Sequence, residues 1–234
     1  MKNSTKEIIN EINTYRDESK AAFLPRFFKT GKGEYGEGDQ FIGVVVPNLR
    51  IVAKKHFDAD FDTLRELLAS PYHEYRLTAL LALTYRYAKL KDHTSRETCV
   101  NFYVSQVDAI NNWDLVDLSC YKILGHWLFD KDKQLLYDWA KENHLWKQRI
   151  AIISCMHFVK QGEFKDALAI ADLLQHHPHD LIHKAVGWIL REIGKEDEQL
   201  LVDYLTPRYK EMPRTMLRYA IERFEEGKRK AFLN

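Results

Sequence analysis

Apolar residues recur at helical spacing along almost the whole chain, and the alternation expected of half-buried strands is scarce. Ile8, Ile9 and Ile12 begin an amphipathic stretch that continues through Phe23, Leu24, Phe27 and Phe28. A glycine-rich segment, 31–43, interrupts it. Pro47 then stands where a first-turn proline opens a helix, with Leu49, Val52 and Ala53 on the inner face. Asp60, Phe61 and Asp62 open a short helix ending near Leu68, and Pro71 opens another whose inner face is Tyr75, Ala79, Leu80, Leu83 and Tyr87. Beyond it the pattern predicts helices over 95–110, 113–128, 133–142, 145–160, 163–174, 180–193, 198–208 and 213–223, followed by a short tail.

These segments are of ordinary helix length, with short breaks at Gly162, Pro178, Gly194 and Pro213. Many short helices in succession, each needing a neighbour to bury its apolar face, predict an all-α chain. Its expected form is an α-solenoid superhelix of HEAT-like repeats. No repeat period is visible, so the repeats are degenerate. No linker-like composition separates two halves, which predicts a single domain over residues 1–234.

Composition narrows this picture. A chain of 234 residues, 45% hydrophobic and 29% charged, can bury a core without staples and does not read as disordered. The first residues lack the apolar core of a secretory signal, and no apolar run reaches the roughly 18 residues of a membrane span. Cys99, Cys120 and Cys155 are far apart and odd in number, which fits small apolar core residues in a reducing compartment. The expectation is a soluble, cytoplasmic monomer with no membrane partner. The net charge of +1 gives no bulk signal for nucleic acid, so any such site must come from local Lys and Arg.

Two motifs are set aside on their context. Gly31, Gly33 and Gly36 satisfy a literal G-x-G-x-x-G, but what precedes them reads as the end of a helix and not as a strand. The segment reads as a permissive inter-helix loop. His176, His177, His179 and His183 cluster around Pro178 without a cysteine or carboxylate at ligand spacing, so they read as a polar loop and helix start.

Three features are less easily explained. In the run 111–117 an asparagine can cap the helix, and Asp114 in the first turn favours its dipole. Asp117 is one turn beyond Trp113, so both side chains share a face, while Leu115, Leu118 and Ile123 can supply the core. Two readings stay open for that face: a half-exposed indole with a solvated acid, or chemistry. In 180–193, Ile182, Val186, Ile189 and Ile193 form an apolar stripe, and Lys184, Trp188 and Arg191 form a second face. That face is either a packed surface stack or a surface for a polyanion. Arg149 opens an apolar run, where it should snorkel or find a carboxylate; Asp117 is one candidate.

Stretches 35–55, 111–117, 146–152, 179–195 and 212–224 together resemble, in collinear order, the DNA alkylation repair family typified by AlkD. The resemblance implies a HEAT-like-repeat DNA glycosylase with a concave basic surface. The implied substrate is double-stranded DNA containing N3- or N7-alkylated purines, whose N-glycosidic bond is hydrolysed without base flipping. It places the family's catalytic aspartate at Asp117, its companion tryptophan at Trp113, its active-site arginine at Arg149 and its second tryptophan at Trp188. No metal or organic cofactor is implied. Lys184, Arg191, Arg214 and Arg218 are the residues expected to meet phosphates. The rival reading is a non-catalytic HEAT-type scaffold that binds DNA or a protein. Such a scaffold has no need of Trp113, Asp117, Arg149 and Trp188 together.

Overall fold

The computed structural model describes residues 4–234 and places them in two compact units that divide between Ile123 and Leu124. The first contains α1 (Thr5–Asn13), α2 (Glu18–Phe27), α3 (Val46–Lys55), α4 (Phe61–Leu68), α5 (His73–Lys89), α6 (His93–Ser105) and the short α7 (Trp113–Asp117). The second contains α8 (His126–Leu128), α9 (Gln134–Lys141), α10 (Leu145–Ser154), α11 (Met156–Val159), α12 (Lys165–Leu174), α13 (Asp180–Glu196), α14 (Glu198–Leu205), α15 (Arg214–Ala220) and α16 (Glu226–Leu233). Among the described residues there is no strand, only one isolated bridge between Gln40 and Tyr72. The all-α class read from the periodicity is the class found. Among the described residues no helix is long and apolar enough to cross a membrane.

Local chemistry explains most boundaries. Ser4 and Glu7 form a reciprocal capping box at the start of α1, and Asp17, Asp60 and Asp92 accept backbone N–H groups at the starts of α2, α4 and α6. Asp17 divides the amphipathic stretch 8–28 into two helices. Pro47 occupies the first turn of α3, whose Leu49, Val52 and Ala53 are buried as the pattern requires.

In the first unit α5 is the central element. It packs against α3, α4, α6 and α7, and nearly all of its side chains from His73 to Thr84 are buried. In the second unit α13 holds this place, packed against α10, α12, α14 and α15. Its stripe of Ile182, Val186, Ile189 and Ile193 is closed to solvent. The three cysteines are buried and none is joined in a disulfide.

The periodicity overruns several ends. The stretch 113–128 is not one helix: α7 stops at Asp117, a π-helical turn covers Tyr121–Gly125, and α8 follows. Ser119 is the local cause, because its hydroxyl donates to the carbonyl oxygens of Leu115 and Val116, capturing acceptors from the helix ladder. The stretch 145–160 breaks after Ser154, and 95–110 ends in a 3-10 turn at Val107–Ala109. The tail forms α16.

The glycine-rich segment 31–43 packs closely against the first unit. Gly36 lies so near Phe28 that a Cβ there would fall 2.6 Å from the Phe28 carbonyl oxygen. Gly43 has φ +82°, and its Cβ would fall 1.9 Å from the Asp17 carbonyl oxygen. Gln40 donates its N–H to Pro71 O and accepts from His73 N, both at 2.9 Å. The segment is thereby pinned to the start of α5 and carries Asp39 into the interior.

Candidate active site

Trp113 and Asp117 are the first and last residues of α7. Asn112 caps that helix, its side-chain oxygen accepting the N–H of Trp113 at 2.9 Å. Leu115 and Val116 turn into the core, leaving Trp113 and Asp117 half-buried on the other side. Both line a cavity of about 450 Å³ within the first unit, walled chiefly by Phe23, Phe27, Phe28, Val45, Leu49 and Leu77. Phe23, Phe27 and Val45 are also among the exposed large apolar residues, so the cavity has an apolar mouth. Asp117 is thus a carboxylate on a chiefly apolar wall, which Lys20, His73, Glu74 and Asp114 also border.

Trp113 is fixed by aromatic contacts. Its indole stacks on Phe28, with centroids 5.5 Å apart and planes 17° from parallel, and meets Phe27 edge-on at 6.0 Å. Phe28 also packs against His73 at 4.7 Å and stacks on Phe41 at 5.1 Å, and Phe41 stacks on the same imidazole at 5.0 Å.

Beneath this stack lies a buried polar cluster. His73 Nε2 is 2.8 Å from Asp114 Oδ2, and His73 Nδ1 is 3.3 Å from Asp39 Oδ2. Asp39 also accepts hydrogen bonds from Arg76 Nη2 at 2.6 Å, Asn111 Nδ2 at 3.2 Å and Asn112 Nδ2 at 3.3 Å. Arg76 donates further to Ser70 O and Asn111 Oδ1. Burial alone would push the His73 pKa down; the charge and hydrogen bond of Asp114, with the hydrogen bond to Asp39, outweigh it and raise the pKa to about 9. Burial raises the Asp39 pKa, and the hydrogen bond from His73 with the charge of Arg76 more than offsets this, so the net shift is downward.

Asp114 therefore does more than complement the helix dipole, the only role its first-turn position suggests. Sequence reading missed His73, Asp39 and Arg76 altogether, and placed Phe28 only in an amphipathic stretch. No spacing rule joins positions 39, 73 and 114, although a His-Glu pair directly after a proline-led turn was a visible oddity.

Glu74, next to His73, also lines the cavity. Its Oε1 accepts the backbone N–H groups of Ile42, Gly43 and Val44 at 3.1, 2.8 and 3.3 Å. Burial raises its pKa despite these donors.

The remaining expected residues belong to the second unit. Arg149, on α10, is buried, and its Nη1 donates to the Leu181 carbonyl oxygen at the start of α13. Trp188 is half-buried on α13. Lys184 pairs with Asp180 at 2.7 Å, and Arg191 pairs with Glu222. Arg214 donates from Nη2 to Leu233 O at 2.7 Å, and Arg218 is exposed on α15. The histidines around Pro178 order a turn: His177 Nδ1 accepts from His179 N, His179 Nδ1 accepts from Leu181 N, and His177 Nε2 lies 2.9 Å from Gln148 Oε1. Among the described residues no group of three or more His, Cys, Asp or Glu side chains is arranged to hold a metal ion.

With this geometry in hand, similarity to known proteins can be set beside it. The family described as DNA alkylation repair enzyme matches residues 8–224. No curated protein matches the chain. Among solved structures, one described as a predicted DNA alkylation repair enzyme from Enterococcus faecalis has a TM-score of 0.69 at 14% identity, covering 90% of this chain and 97% of that one. AlkD2 from Streptococcus mutans has a TM-score of 0.55 at 16% identity, covering 89% and 99%. At such identities the likeness is one of fold, and it agrees with the α-solenoid class expected from the helical periodicity.

Proposed function

The chain belongs to the DNA alkylation repair enzyme family, and from that premise we propose that it is a DNA glycosylase acting on N3- and N7-alkylated purines in duplex DNA. The observation that carries this reading is the carboxylate of Asp117 beside a clamped indole, Trp113, on the wall of an apolar cavity. An acid in such surroundings exerts a stronger field on a nearby cation than it would in water.

The chemistry asks little of the protein. An alkylated purine already carries a positive charge. As the C1′–N bond breaks, the base leaves with the bonding electron pair and becomes neutral, and the positive charge passes to the sugar. Asp117 stabilises that oxocarbenium-like sugar and orients a water molecule. The water oxygen bonds to C1′, and its proton passes to the carboxylate or to solvent. Trp113 offers its face to the cationic nucleotide. Arg149 and Trp188 act in the same reaction, the arginine on a phosphate and the indole on the nucleotide backbone. Lys184, Arg191, Arg214 and Arg218 supply phosphate contacts, for which the Asp180 and Glu222 pairs must be exchanged. The lesion is contacted without being extruded, in contrast to glycosylases that flip the base. The whole of 1–234 serves as one glycosylase domain, working as a cytoplasmic monomer without a metal or organic cofactor.

The test is release of N7-methylguanine and N3-methyladenine from alkylated duplexes in the presence of a chelator. Release of either base supports the reading. DNA binding with no base released from any adduct overturns it in favour of a scaffold.

A further inference from the structure

The acid and the companion indole of the proposed reaction are two positions of a five-residue helix, α7, which is too short to hold its own orientation. Something outside α7 must fix it. Besides the aromatic rings around Trp113, the side chain that reaches it from the interior is His73, at the first position of α5.

We propose that His73 is a positioning residue: it holds the backbone of α7 through Asp114, and holds the Trp113 indole through Phe28. This inference rests on the glycosylase reading for its effect on rate, but the positioning itself is a matter of packing.

The geometry requires a charged imidazole. Both ring nitrogens of His73 face carboxylate oxygens, of Asp114 on α7 and of Asp39 on the 31–43 segment. Carboxylates only accept, so both nitrogens must carry protons, and a neutral ring would turn one lone pair toward an acid. The other groups facing His73 are its neighbours on α5, Arg76 and Glu74. The two carboxylates that His73 touches are matched by Arg76 and a protonated His73, while burial pushes Glu74 beside them toward its neutral form. Loss of the imidazole proton leaves one of the two carboxylates uncompensated. Phe28 and Phe41, themselves stacked at 5.1 Å, both pack against the imidazolium, and both are attractive to a cation. Phe28 touches both His73 and Trp113, so a change at His73 reaches Trp113 across one ring.

His73 is 2% exposed and borders the cavity, but both of its ring nitrogens are turned to carboxylates, so it has no polar atom to offer a nucleotide. Its removal should impair placement of Asp117 and Trp113, which appears in the chemical step and not in affinity.

The experiment is single-turnover release of N7-methylguanine from a defined duplex between pH 6 and 10, with DNA affinity and tryptophan emission followed on the same samples. Wild-type protein should lose rate as pH rises through about 9, as His73 gives up its proton. The His73→Gln variant should be slower by roughly 100-fold, the scale of an ångström-level misplacement, with no step near that pH and with nearly unchanged DNA affinity. Tryptophan emission should step near the same pH in wild type, remain level in His73→Gln, and lose the step in a Trp113→Phe control.

A His73→Gln protein with the wild-type rate and the wild-type pH profile overturns the proposal. Should that variant lose its fold by circular dichroism, Phe28→Leu decides: a slowed chemical step at unchanged affinity supports the relay, and an unchanged rate overturns it. Wild-type protein that releases no base is the failure of the glycosylase reading, and the emission step then still tests the positioning.

Discussion

His73 and Asp114 meet at 2.8 Å, 41 residues apart in sequence and both almost closed to water, and their contact ties the short helix of Trp113 and Asp117 to the central helix of the first unit. A buried pair of this kind gains little over an apolar replacement, but loss of one member leaves a stranded charge. Asp114→Ala should therefore cost about 3–5 kcal/mol in denaturant unfolding. The same contact sets a pH dependence. His73 has a folded pKa of about 9 against an ordinary 6.5, so its contribution is complete below the lower value and is lost as pH rises through the higher. Unfolding midpoints should fall between pH 7 and 10 in the wild type and flatten in Asp114→Ala.

Glu74 acts in the same direction at lower pH. Its carboxyl is raised above the usual 4.5 by burial, so raising the pH above that value deprotonates it more readily unfolded than folded, and stability declines. Glu74→Gln keeps an acceptor for the three N–H groups of Ile42, Gly43 and Val44 and should remove that decline. Glu74→Ala should instead cost about 1–3 kcal/mol for each N–H left without a partner. Denaturant melts from pH 4 to 7 distinguish the two.

Arg218 is exposed on α15, where a phosphate contact would be purely electrostatic. Arg218→Ala should weaken binding to damaged and undamaged duplexes alike, and lower the salt slope by about one contact. Single-turnover release at saturating enzyme should be unaffected. A binding isotherm series over salt concentration checks this; an unchanged slope removes Arg218 from the interface.

How far the sequence reached depends on whether a feature is periodic. The helices, their buried stripes and the capping roles of Asp60 and Asn112 follow from rules within a few residues, and all appear in the structure. Trp113 and Asp117 were legible as a pair for the same reason, being one turn apart. The break after Asp117 was not, because Ser119 diverting its hydroxyl into the ladder is a choice that periodicity cannot see. Nor was the cluster of Asp39, His73 and Asp114, which depends on a glycine-rich segment packing tightly enough to bury its one central acid. In that respect the G-x-G-x-x-G motif distracted from its neighbour: the useful residue of the loop is Asp39. Asp114 was seen but assigned to the helix dipole, since its partner lies in another helix.

The most direct measurement is single-turnover excision of N7-methylguanine by wild-type protein and Asp117→Asn, in chelator, with duplex affinity measured in parallel. The amide keeps the size of Asp117 while removing its charge, so the cavity wall and α7 should be preserved. The account predicts that wild type releases the base and that the variant is slower by roughly 100- to 1,000-fold, the scale seen when a transition-state charge loses its stabilising group, at similar affinity. Asp117→Asn releasing the base at the wild-type rate would contradict it.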